Sequence, residues 1–197
     1  MSASFLKGLR RLRRMTPASA FRLLLFRPID FLLYETTNPL DEVAAVGEQP
    51  EIKVFAGSAP PPLASRMNER KIAYAIFDQG RLVHESWVSF DTLLPSQFGF
   101  DPEIPVIGDC ATDASYRGRR IYPYVISRIP ADLATRGIGP SAYVLVAPDN
   151  EASIRGIERA GYVKRARMRG WRVLGFMMAR KITRYAETDS APQENPR

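Results

Sequence analysis

Residues 109–122 read DCATDASYRGRRIY. An apolar strand, Val106 to Thr112, runs into this basic loop, and the loop opens a helix over Ile121 to Thr135. The first turn of a helix leaves backbone N–H groups unpaired, and its dipole favours an anion there. Arg117, Arg119 and Arg120 add positive charge at the same place. Further on, a strand over Ala142 to Ala147 feeds a second helix, Glu151 to Ala160, closed by Gly161 as a C-cap. Asn150 stands where an N-cap is expected. Strand, loop and helix in this order present donors to a phosphate group. The plainer alternative is a basic surface turn ahead of an ordinary helix.

Outward from this unit, Lys71 to Phe77 and Leu82 to Phe90 are two strands joined at Asp78-Gln79-Gly80, a hairpin signal. Ile29 to Tyr34 is apolar and aromatic enough for a first strand. Leu63 to Arg70, after the break at Pro60-Pro61-Pro62, reads as a short helix. Pro95 to Pro105 reads as a loop. Tyr162 to Ala166 and Trp171 to Met178 read as closing strands. A hairpin followed by two strand–helix units predicts a mixed sheet with helices on both faces, an α/β or mixed α+β fold. A ligand then belongs at the C-terminal end of Val106–Thr112, where that strand parts from its neighbour.

The 197 residues suit one domain with tails: a basic amphipathic segment over 1–28, a domain over 29–185 and a polar tail over 186–197. Cys110 is the single cysteine, which excludes an intrachain disulfide framework and fits a reducing, cytoplasmic setting. One cysteine and one histidine make a zinc site a poor expectation, and no metal is assigned. The net charge of +7 is unevenly spread. Residues 1–30 carry seven Lys/Arg against one acid, 31–114 carry five against thirteen, and 159–186 carry nine and no acid. Phe5, Leu9 and Leu12 recur at helical spacing among arginines, as in a helix lying on an anionic membrane face. The same pattern also suits a terminal helix packed on its own domain. No run approaches the ~20 apolar residues of a spanning helix. No aromatic-interleaved basic motif marks a nucleic-acid module.

The loop Arg117-Gly118-Arg119-Arg120-Ile121-Tyr122 resembles the acyl-CoA loop of the GNAT acetyltransferase superfamily, Arg/Gln-x-x-Gly-x-Gly/Ala. Pro148 to Tyr162, PDNEASIRGIERAGY, resembles that superfamily's second cofactor segment, through Asn150, Ser153 and the Gly161-Tyr162 pair. The longer string Cys110-x-Thr112, Tyr116-Arg117-Gly118, Ile121-Tyr122-Pro123 is similar to a branch found beside envelope polysaccharide genes. The resemblance covers roughly residues 70 to 176. It departs at Arg120, where the pattern has glycine, and at Tyr122, where it has glycine or alanine.

The resemblance implies acetyl-CoA as acyl donor and a small-molecule amine as acceptor, an amino sugar or sugar nucleotide on the branch analogy. It implies main-chain contacts to the pantetheine arm from Cys110, Ala111 and Thr112. It places the pyrophosphate on the amides of Arg117, Gly118, Arg119, Arg120, Ile121 and Tyr122, with Asn150 and Ser153 near the arm. The tyrosine that many members use to protonate the leaving thiolate falls at Ile157, so that acid is missing here. Asp109 ends the strand beside the acyl position and is the candidate base; its alternative is a structural carboxylate binding Arg117 or a loop amide. Asp113 and Tyr116 are weaker candidates. A Cys110 nucleophile would need His84, the only histidine, and nothing in the sequence joins them. The contrasting reading is a degenerate, membrane-associated protein of the same fold that does no catalysis.

Overall fold

In the computed structural model of the chain, residues 26–36, 49–173 and 176–186 are described. Eight strands form one sheet in the order β2-β3-β4-β5-β6-β1-β7-β8. They are β1 (Phe26–Thr36), β2 (Lys53–Ala56), β3 (Lys71–Asp78), β4 (Arg81–Ser89), β5 (Val106–Thr112), β6 (Ala142–Val146), β7 (Val163–Val173) and β8 (Phe176–Arg184). Among the described residues four α-helices accompany them: α1 (Pro61–Ala64), α2 (Leu94–Gln97), α3 (Ile121–Thr135) and α4 (Glu151–Arg159). The fold is the mixed α/β arrangement with a leading hairpin and helices on both faces. The predicted amphipathic helix over residues 4–15 and the tail beyond 186 lie outside the described residues.

The β3–β4 hairpin forms where expected, because Gln79 and Gly80 both take positive φ, 48° and 78°, as a type I′ turn requires. The β5–β6 pair is parallel and every other pairing among the described strands is antiparallel. The main core lies between the sheet and α3 and α4, built from Ile72, Tyr74, Ile107 and Val144 against Val125, Ile129 and Ile157. The other face is covered by α1, through Leu63 on Trp87, and by the segment around α2, through Leu94 and Phe98 on Ile29, Leu33 and Tyr143. We call the α3–α4 side the back and the α1–α2 side the front.

Pro130 sits inside α3 and has no N–H for the Ile126 carbonyl. That carbonyl instead accepts a hydrogen bond from the Tyr162 hydroxyl at 3.0 Å, so the group stays paired in the core.

Three expectations are corrected. The predicted helix from Leu63 is a single turn over Pro61–Ala64. The Pro95–Pro105 loop contains the end of α2, and Phe98 is buried in the front core. The closing strands are divided elsewhere than expected: Arg167 to Gly170 and Trp171 belong to β7, and Met178 lies on β8 opposite Trp171, so Trp171 to Met178 is not one strand. In the fold, Arg165 pairs with Glu35 and Arg167 with Asp30, both on β1. β1 extends the predicted Ile29–Tyr34 strand at both ends and lies between β6 and β7, antiparallel to each.

Candidate functional site

β5 and β6 pair only at Val106↔Tyr143 and Ile107↔Val144. From Gly108 onward β5 keeps β4 on one side and, among the described residues, has no strand on the other. The sheet therefore opens into a notch at the C-terminal end of the parallel pair, the position predicted for a ligand. Cys110, Ala111 and Thr112 line the notch with main chain. A β-bulge sits at its mouth: the β4–β5 register shifts between Glu85 and Trp87, and Asp109 takes φ 50°. A left-handed carboxylate residue is uncommon, and such strain is concentrated at functional sites.

Beyond β5 the chain makes a 3-10 turn, Ala114–Tyr116, capped by Asp113 through the Ser115 amide at 3.0 Å. The Ser115 hydroxyl, with Arg81 at 2.5 Å, lowers the Asp113 carboxyl below its usual range. The Tyr116 hydroxyl donates to Asp78. These bonds tie the loop to the β3–β4 turn. Asp113 and Tyr116 are thus loop anchors.

The loop then delivers donors. The Arg117 amide is used within the turn, on Ala114 O at 3.4 Å, so it is not a free donor as the sequence suggested. The amides of Gly118, Arg119, Arg120, Ile121 and Tyr122 take no hydrogen bond among the described residues. Gly118 has φ 80° and Arg120 φ 56°, ψ 21°, followed directly by helical Ile121. A left-handed residue followed by a right-handed one turns successive N–H groups inward, a nest for an anion. Arg120 holds the conformation that glycine would adopt more easily, and its side chain is exposed. Arg117 bends back to Thr112 O at 3.3 Å, and Arg119 stacks on Tyr116 at 4.8 Å. Pro123 at the third helical position removes one donor that a first turn would otherwise offer.

In front of β5, Asp109 is exposed and its carboxylate lies 3.1 Å from Arg66. Arg66 also holds Glu85 at 2.7 Å and stacks on Trp87 at 4.8 Å. The partner of Asp109 is therefore Arg66, not Arg117. Arg66 and Glu85 were missed in sequence. Glu85 alternates with Trp87 along a strand, but only the fold brings Arg66, after α1, over both.

Behind β5 everything polar is enclosed. His84 is buried, with Nδ1 2.8 Å from Thr112 Oγ1 and Nε2 2.9 Å from Ser86 Oγ. Burial pushes the imidazole down to about 4, so it is neutral at pH 7. Burial likewise pushes the Cys110 thiol up to about 12. Neither ring nitrogen faces Cys110, so the chain has no Cys–His nucleophile. Tyr122 packs its ring on α4: a Cβ at Gly156 would lie 2.7 Å from Tyr122 Cδ1. Asn150 caps α4 by accepting from the Ser153 amide at 3.2 Å. Ile157 is fully buried.

A cavity of about 720 Å³ lies on the front face at the C-terminal end of β6, lined among others by Ile29, Phe31, Leu94, Leu145, Gln97 and Arg172. Gln97 Oε1 and Arg172 Nε are buried there without a hydrogen-bond partner.

Among solved structures, a GNAT-family acetyltransferase from Novosphingobium aromaticivorans aligns with a TM-score of 0.53 at 20% identity, over 73% of this chain and 63% of that one. The fold is that of the GNAT acetyltransferases. A GNAT-family acetyltransferase from Colwellia psychrerythraea aligns at 0.52 and 16% identity, over 79% and 61%. A tandem GNAT protein of the clavulanic acid biosynthesis pathway aligns at 0.52 and 15%, over 80% and 57%. This chain spans less than two thirds of each neighbour's length. No protein-family model and no curated protein matches its sequence.

The donor set fits a CoA pyrophosphate on the GNAT fold: five unpaired amides in a nest, with Arg117, Arg119 and Arg120 around them. Both departures from the GNAT pattern have a local account. Arg120 keeps the glycine-like backbone, and Tyr122 is accommodated because α4 carries glycine at 156. Among the described residues no group of His, Cys, Asp and Glu is placed to hold a metal, and no helix is long and apolar enough to cross a membrane.

Proposed function

We propose that this chain is an acyl-CoA-dependent N-acyltransferase, with acetyl-CoA as donor and a small amine as acceptor. The observation that carries it is the parting of β5 from β6 beside five unpaired amides. The nest of Gly118 to Tyr122 and the loop arginines hold the pyrophosphate. The free edge of β5 at Cys110, Ala111 and Thr112 aligns the thioester arm and supplies a main-chain donor to the carbonyl oxygen as charge develops on it. Asp109 receives the proton of the attacking amine, directly or through water. A C–N bond forms and the C–S bond breaks. The thiolate takes its proton from solvent, since position 157 offers none. A thioester is already activated, so positioning supplies much of the rate.

The front cavity is the acceptor side in this reading. It shares the face of Asp109, and Gln97 and Arg172 leave polar atoms for a hydroxyl-rich or anionic acceptor. That suits an amino sugar or sugar nucleotide, the acceptor class that the Cys110-to-Pro123 string suggests. Use of acetyl-CoA and the lone thiol fit work in the cytoplasm.

Calorimetry with acetyl-CoA tests the donor. Arg117→Glu should weaken binding about ten- to a hundredfold, the loss of roughly 1.5–3 kcal/mol of charge-assisted bonding. A folded protein that takes up no acetyl-CoA would sink the assignment and leave the non-catalytic reading. Release of free thiol with a panel of amino sugars and sugar nucleotides then tests the acceptor.

A further inference from the structure

Positive charge collects at one corner of the sheet. β1 enters at Phe26 opposite Val173, and Val173 lies opposite Phe176, so the start of β1 and the open ends of β7 and β8 share one edge. Register sets like charges face to face there. Arg169 opposes Lys181 across β7–β8 on one face of the sheet, and Arg27 opposes Arg172 across β1–β7 on the other, where both line the front cavity. Directly opposed like charges destabilise an antiparallel pair. Asp30 faces Arg169, but both its oxygens are held by Arg167 at 2.9 and 2.8 Å.

Exposed apolar side chains adjoin these charges. Trp171 is 48% and Met178 55% exposed, directly opposite each other and on the same sheet face as Arg169 and Lys181. A bulge at Ala179, φ 49°, lies opposite Gly170, where a Cβ would come 3.1 Å from Met178 O. The sheet is thus built to hold this register at some cost. Lysine on an edge strand also discourages edge-to-edge pairing, but that leaves Trp171 unexplained.

An indole flanked by arginine and lysine is suited to a bilayer interface: the ring sits at headgroup depth and the cations meet anionic headgroups. The 25 residues before Phe26 attach at the same corner and carry six Lys/Arg and no acid. We propose that the exposed face of the β7–β8 hairpin around Trp171, Met178, Arg169 and Lys181 docks on an anionic lipid bilayer. The inference is independent of the acyltransferase reading.

The test uses the full chain and vesicles of phosphatidylcholine with or without phosphatidylglycerol. Trp87 is 1% exposed, so a change in tryptophan emission reports Trp171. Binding should require phosphatidylglycerol, fall at high salt and shift emission to the blue. Lys181→Glu turns the Arg169–Lys181 clash into an ion pair. It should leave the melting temperature unchanged or raised while weakening vesicle binding about tenfold or more. Trp171→Ala should abolish the blue shift and weaken binding several-fold. Removing residues 1–25 should weaken binding but keep the blue shift. Vesicle binding untouched by Lys181→Glu and Trp171→Ala would overturn the proposal. So would a protein that ignores vesicles and instead binds single-stranded RNA through Trp171.

Discussion

The two faces of β5 carry different chemistry through the same few residues. Behind the strand, Thr112 and Cys110 join His84 and Ser86 in a sealed layer where ring nitrogens and hydroxyls are paired. In front, Asp109 stands 67% exposed in a chain of charges with Arg66 and Glu85. One bulge makes the difference, because Asp109 and Cys110 both oppose Ser86 and the strand turns one side chain out and keeps the next in. The lesson concerns which reactive-looking groups are available. The imidazole is buried and the half-buried thiol packs against the core, so neither is presented to a substrate. The carboxylate and the freed main chain are what a substrate meets.

The largest effect expected from this contrast is on stability with pH. His84 has its folded value lowered to about 4, against 6.5 for a free imidazole. The unfolded chain therefore binds the extra proton first, and the stability tied to neutral His84 is fully present above pH 6.5. It is lost as pH falls towards 4, amounting to about 3 kcal/mol. Urea unfolding at pH 7 and pH 4 should show this loss, and His84→Gln should flatten it. An unchanged slope in the variant would mean that the back layer is not the pH-sensitive one.

Next comes Asp109→Asn. Asparagine tolerates the left-handed backbone, so the bulge is kept. Turnover should fall by ~10²-fold, near 2.7 kcal/mol. Thermal stability should move by less than ~1 kcal/mol, because the Arg66 pair is exposed. Equal activity with lower stability would return Asp109 to a structural role and erase the contrast between the faces.

Gly156→Ala tests the packing that lets Tyr122 stand at the head of α3. A Cβ 2.7 Å from the ring should cost about 1–3 kcal/mol in chemical denaturation. Most of that should vanish in a Tyr122→Ala background, as a double-mutant cycle would show. Additive losses would mean that α4 shifts and the ring is not the obstacle. The smallest effect is at Arg120. Arg120→Gly relieves a left-handed side-chain residue and should stabilise by ~1 kcal/mol or less. Its effect on acetyl-CoA affinity reads out whether the arginine helps hold the donor: weaker binding says that it does, tighter that it crowds the site.

Much of this was legible along the chain. The β3–β4 hairpin, β5, α3, β6 and α4 follow from local signals: the Gln79-Gly80 turn, apolar strands, and the Asn150 and Gly161 caps. So does the run of amides from Gly118 to Tyr122, though not the loss of the Arg117 amide to Ala114, because helix starts and glycine turns depend on neighbouring residues. What sequence left open depends on residues far apart. Arg66 meets Asp109, Glu35 meets Arg165, and Tyr122 meets Gly156 only after the sheet assembles. Burial of His84 could not be read, since a period-2 strand does not say which face a helix will cover. Nor could the insertion of β1 between β6 and β7. The sequence by itself determined the strand–loop–helix unit and its positive charge, because backbone geometry and local propensity act over a few residues. Tertiary structure alone decided which groups meet solvent and which distant side chains pair, because both depend on strand order and register across the whole sheet.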